Sequence, residues 1–157
     1  MAAMRIKQLI VLGVVALGLA GCTSTGSGTG ADAPIRKTDV ETLREDWLPN
    51  LEGVESAVWE TGALGNNNDR AVTVPGPTDY FAYGFATLSP EQAETYRSTY
   101  EFGECQPFEI PDTLNDVAPE NQDWTCDQVF SRDIQEVDGG TAAMNSDGVV
   151  YFSLQTY

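Results

Sequence analysis

Between Lys7 and Cys22 the chain carries no charge, and this one stretch takes the first 21 residues out of any account of the fold. Arg5 and Lys7 make a short positive region, and Leu9 to Gly21 is an uncharged run of 13 residues. Small residues follow it, which is the three-part layout of a secretory signal. A helix that spans a bilayer needs about 20 apolar residues to cross roughly 30 Å of hydrocarbon. This run ends too early, in Cys22, Thr23 and Ser24.

Leu19-Ala20-Gly21-Cys22 resembles the lipobox of bacterial lipoproteins and sits where that family carries it. The resemblance implies that Cys22 is the lipidation site and that cleavage falls before it. Residues 1–21 are then a lipoprotein signal peptide and residues 22–36 a lipidated cysteine with its tether. Residues 37–157 form a single acidic globular domain. Each methylene of two acyl chains adds about 0.8 kcal/mol of burial, which passes the threshold for stable anchoring. The implied location is the cell membrane, with the protein held on its extracytoplasmic face.

Thr23 to Pro34 is almost entirely Gly, Ser, Thr and Ala, the composition of a flexible spacer. Its root-mean-square reach is on the order of 20 Å by coil scaling. Removing Arg5 and Lys7 leaves 6 basic against 24 acidic residues, a net charge of about −18. That charge repels a polyanion, so no nucleic-acid partner is expected. With no histidine in the chain, His-based triads, His-ligated zinc and imidazole acid–base chemistry are excluded as intramolecular devices. Neither a metal site nor a cofactor is expected.

Three cysteines are an odd number for a secreted chain. If Cys22 carries lipid, as the resemblance implies, Cys105 and Cys126 remain as the pair for a disulfide in an oxidising compartment. A bridge closing a loop of about 22 residues contributes roughly 3 kcal/mol in the chain-entropy treatment.

Local patterns predict an α+β fold: an antiparallel sheet of about four to five strands packed by two short helices and stapled by one disulfide. Thr38-Asp39-Val40-Glu41 fits a capping box, after which Val40, Leu43 and Trp47 share a helical face and Pro49 ends the run. Ser89-Pro90-Glu91-Gln92 starts a second helix, with Ala93, Tyr96 and Tyr100 on one side and Gly103 as its left-handed stop. Strands are expected over Val54 to Thr61, Arg70 to Val74, Asp79 to Leu88 and Val149 to Gln155. Asn145-Ser146-Asp147-Gly148 forms the turn before the last of these. Along the third, bulky Phe81, Tyr83 and Phe85 alternate with small Ala82, Gly84 and Ala86, so a helix could approach the small face closely. Glu104 to Asp123 reads as an ordered, irregular loop, and Trp124 to Phe130 fits a helix or a strand equally well.

Chemistry is scarce. Carboxylates are the only abundant titratable groups, so a glycosidase-like pair is the one catalytic constellation the composition permits. Glu55, Glu60, Asp79 and Asp133 lie near predicted strands, but nothing singles out two of them, and no catalytic residue is assigned. Asn66-Asn67-Asn68-Asp69 and Asn145-Ser146-Asp147-Gly148 are oxygen-rich, yet neither has the spacing of a calcium loop, and turn chemistry explains both. Trp59, Phe81, Tyr83 and Phe85 could be core or an exposed aromatic platform. Val74-Pro75-Gly76-Pro77-Thr78-Asp79-Tyr80 and the strand and helix after it resemble small lipoproteins of high-GC Gram-positive bacteria, which have no assigned activity.

The expected function is therefore that of a membrane-anchored, non-catalytic binding module facing an envelope protein or glycan. The alternatives are a small carboxylate-dependent hydrolase of envelope polymers and a protein inhibitor that presents the Cys105 to Cys126 loop.

Overall fold

A computed structural model of the chain describes residues 33–64, 79–137 and 139–156. The signal segment, Cys22, the expected spacer as far as residue 32, the Asn66 to Asp69 loop and the expected strand Arg70 to Val74 lie outside the described residues. Among those described, no helix is long and apolar enough to cross a membrane.

The elements run β1 (Ile35–Lys37), α1 (Val40–Asp46), β2 (Val54–Ala63), β3 (Tyr80–Leu88), α2 (Pro90–Thr99) and β4 (Gly103–Glu104). A 3₁₀ turn (Asp112–Leu114) follows, then β5 (Thr125–Cys126), α3 (Gln128–Asp133), β6 (Gly139–Met144) and β7 (Val149–Gln155). All pairings are antiparallel in one seven-stranded sheet of order β1-β2-β3-β7-β6-β5-β4. The α+β class, the antiparallel sheet and the Cys105–Cys126 disulfide agree with expectation. Seven strands replace four to five, and three helices replace two.

The additions have a common physical cause. β1, β4 and β5 are two or three residues long, too short for a period of two to register. β6 opens on Gly139 and Gly140, which carry no side chain to alternate. Ile35 and Arg36, counted with the spacer from composition, lie in β1. Trp124 to Phe130 resolves into both alternatives, strand β5 followed by helix α3.

Two helix boundaries also differ. Asp39, not Thr38, caps α1, its carboxylate accepting from the Thr42 amide at 3.1 Å. That bond holds the Asp39 carboxyl below the usual aspartate range. Ser89 caps α2 with Pro90 in the first turn, as expected. Its far end is set by Tyr100 turning extended at φ −112°, rather than by Gly103; among the described residues, positive φ occurs only at Gly53 and Gly148. Gly148 closes the predicted turn between β6 and β7, donating to the Asn145 carbonyl at 3.2 Å.

Alternation along β3 sends its residues to two different layers. Ala82, Ala86 and Leu88 face the helices, joined by Leu43, Leu48, Leu51, Trp59, Phe130, Val150 and Phe152 in the larger core. Phe85 faces the opposite way and packs with Tyr151 and Leu114, under the irregular loop. The small face of β3 is met first by its neighbour strand: a methyl group on Gly84 would lie 2.5 Å from the Trp59 Cα and 2.4 Å from the Val58 carbonyl. Trp59 and Gly84 are direct cross-strand partners, as are Phe81 and Gly62 on the other side. The β2–β3 register is thus pinned from both faces by an aromatic opposite a glycine.

Candidate functional site

On the loop side of the sheet, Arg36 from β1 reaches across to the covering loop. Its Nε donates to Glu60 Oε1 at 3.0 Å, its Nη1 to Asp116 Oδ2 at 2.7 Å, and its Nη2 to the Thr113 carbonyl. The bond from Arg36 holds the Asp116 carboxyl below the usual range. Glu60 is only 4 % exposed, and its Oε2 has no hydrogen-bond partner. Its cross-strand partner Tyr83 has a hydroxyl pushed upward in pKa, first by burial. Two carboxylates therefore converge on one guanidinium. Acid–base hydrolysis needs one such group protonated and one ionised, whereas Arg36 favours the charged form of Asp116.

The four aromatics that the sequence offered as core or platform separate cleanly. Trp59 is fully buried among the helices, donating from Nε1 to the Asp39 carbonyl at 3.1 Å, with Lys37 Nζ 4.8 Å above its ring. Phe85 is core on the other face. Phe81 and Tyr83 are half-buried and parallel, with centroids 5.1 Å apart at 8°. Two coplanar rings side by side could not come that close, so these overlap face to face and spend ring surface on each other.

The other candidates are accounted for by local structure. Asp133 receives Arg132 at 3.1 Å and the Tyr100 hydroxyl at 3.5 Å. Glu55 is exposed, and Asp79 accepts from the Leu64 amide through its carbonyl. In the β6–β7 turn, Asn145 Oδ1 accepts from the Asp147 and Val149 amides, while Nδ2 donates to the Asn121 carbonyl. Among the described residues no three His, Cys, Asp or Glu side chains gather as a metal site would require. The Cys105 to Cys126 loop lies flat on the sheet, with Leu114 at its centre fully buried.

What the sequence did not offer is a cleft of about 360 Å³ lined by Gln106, Phe108, Gln128, Ser131, Gln135 and Gly140. It exists because β5 stops. At Asp127 the chain leaves the sheet to begin α3, the Asp127 carboxylate capping the Phe130 amide at 2.7 Å. α3 then returns across β6, where the Ser131 hydroxyl donates to the Ala142 carbonyl at 3.0 Å and accepts its amide at 3.1 Å. One side chain thus satisfies both edge groups of one strand residue.

The next edge position is open. Asn145 bonds across to Val149, and backbone groups alternate sides along an antiparallel strand, so Gly140 points its N–H and C=O outward, like Ala142. Among the described residues no group bonds either of them, and Gly140 is exposed. Above it sits Gln135 Oε1, buried and unpartnered, 2.6 Å from where a Gly140 methyl would lie. No protein-family model matches this chain, and no curated protein or solved structure matches it either. The chemistry of the cleft therefore rests on its own residues. Three glutamine amides and an open strand edge can form hydrogen bonds to a neutral ligand, with Asp127 and Arg132 also on the lining.

Proposed function

We propose that the chain is a lipid-anchored, extracytoplasmic binding module that seats a ligand in the cleft between α3, β6 and the Gln106 to Phe108 segment. The observation that carries this reading is a concave, amide-lined site in which the outward Gly140 N–H and C=O and the Gln135 side-chain carbonyl have no hydrogen-bond partner among the described residues. Native interiors satisfy their polar groups, so the buried Gln135 Oε1 calls for an outside donor, and the exposed Gly140 edge beside it offers a donor and an acceptor to the same ligand. Arg36 ties up both Glu60 and Asp116, which supports binding over hydrolysis. The buried centre of the Cys105 to Cys126 loop supports a cover rather than an inhibitory loop.

The lipobox residues Leu19 to Cys22 support anchoring through Cys22. With the anchor on the β1 side, the cleft beside β6 lies four strand spacings away, about 19 Å at 4.8 Å per strand.

Two measurements test the reading. Cys22→Ala should release folded protein from the membrane, and native material should carry the acyl mass on an N-terminal Cys22; an unacylated N-terminus would overturn the anchoring. A photo-reactive residue at Thr141, on the cleft, should give discrete adducts on intact cells that the same group at Glu91 on α2 does not. Equal labelling from both positions would overturn the cleft as the binding site.

A further inference from the structure

We infer that the cleft takes an extended peptide, which pairs with Gly140 as a short added strand in the place where β5 ends. This rests on the binding-module reading and names its ligand class. The argument begins at Ala142. Its outward N–H and C=O are both met by the Ser131 hydroxyl at 3.1 and 3.0 Å, so one residue of this edge already bonds a group that is donor and acceptor together. Two residues earlier, Gly140 presents the same pair of backbone groups with nothing among the described residues bonded to them. A secondary amide backbone carries a donor and an acceptor at the spacing of a strand, which is how exposed sheet edges capture peptides.

The walls fit that occupant. Gly140 has no side chain to fill the floor, and Leu154 Cδ2 and Gln135 Oε1 lie 2.5 and 2.6 Å from where one would begin. Gln106 and Gln128 add further amides at the rim. Asp127 is committed to its helix cap, whereas Arg132, which also lines the cleft, keeps a side chain 73 % exposed beside Asp133. With 24 acidic residues in the chain, the peptide should be free of acidic side chains. Phe108, the ring at hand, is engaged by Tyr151 with centroids 5.1 Å apart at 9° and by Trp124 at 6.4 Å, so it serves the packing of the covering loop.

The test is nuclear magnetic resonance on the ¹⁵N-labelled full chain. It is titrated with N-acetyl-trialanine N-methylamide, with the same peptide methylated on its central nitrogen, and with N-acetylchitotriose. The unmodified peptide should move the Gly140 and Thr141 amides saturably. Methylation, which removes the strand donor, should weaken this by roughly five- to tenfold, the worth of one to two hydrogen bonds. An unmoved Gly140 amide, or equal response to both peptides, would overturn the inference. Chitotriose moving the Gln106 and Gln135 side-chain amides while peptide does not would overturn the peptide class and leave the binding module standing. No response to any probe would remove both.

Discussion

The two faces of the sheet are covered by unlike means, and the contrast shows how one small domain divides stability from exposure. On one side, three helices bury Leu43, Leu48, Leu51, Trp59, Phe130, Val150 and Phe152 in a continuous apolar layer. On the other, an irregular stretch from Glu104 to Trp124 is held over Phe85 and Tyr151 by separate fastenings. These are the Cys105–Cys126 bond, the Arg36 fork to Asp116, and the stack of Phe108 on Tyr151. Burial holds the first layer wherever its side chains meet, because the hydrophobic effect is non-directional. The second layer depends on a few directional contacts, and the open cleft lies where that layer ends.

The contrast breaks most severely at Trp59. Trp59→Ala removes a fully buried ring and should lower the unfolding free energy in denaturant by about 3–5 kcal/mol. It should do so for both layers in one transition, since Trp59 faces the helices while its strand carries Glu60 to the loop side. Separate transitions for the two layers would contradict this. The staple comes next. Cys105→Ala with Cys126→Ala should cost about 2–5 kcal/mol. Hydrogen exchange should show protection lost first in residues 106–124, while β2, β3 and β7 keep theirs; uniform loss would mean that the loop is no separate layer.

The smallest effect is acidic. Asp116 and Asp123, both within the loop, are held below the ordinary aspartate value, by the bond from Arg36 and by the Ser146 amide respectively. A depressed native pKa gives stability that is present above about pH 4, near the unfolded value, and lost as pH falls through the native one. Asp116→Asn should therefore lower Tm at pH 6, with the gap to the parent closing towards pH 2.5. A gap that persists at low pH would show that the Asp116 charge is not what holds the loop.

Legibility followed distance along the chain. The caps at Ser89 and Pro90 and the alternation of Phe81, Tyr83 and Phe85 are written within two or three residues, and both formed as read. At the start of α1 the neighbour won: Asp39 and Thr38 are both good caps, and only the path of the chain chose the carboxylate. Strands β4 and β5 escaped notice because two residues cannot display a period. The aromatic set split because alternation says which residues share a face, but not how deeply that face is covered.

Composition and local order settled the acidic character, the absence of imidazole chemistry, and the sides of β3 from which the two layers grow. The cleft needed the fold. Its floor depends on a strand ending at Cys126, a helix folding back so that Ser131 meets Ala142 11 residues away, and Gly140, paired with Leu154 on one side and with no strand among the described residues on the other. Those contacts join residues distant in sequence, and their geometry comes from the packing of whole elements rather than from any pattern a short window of chain can hold.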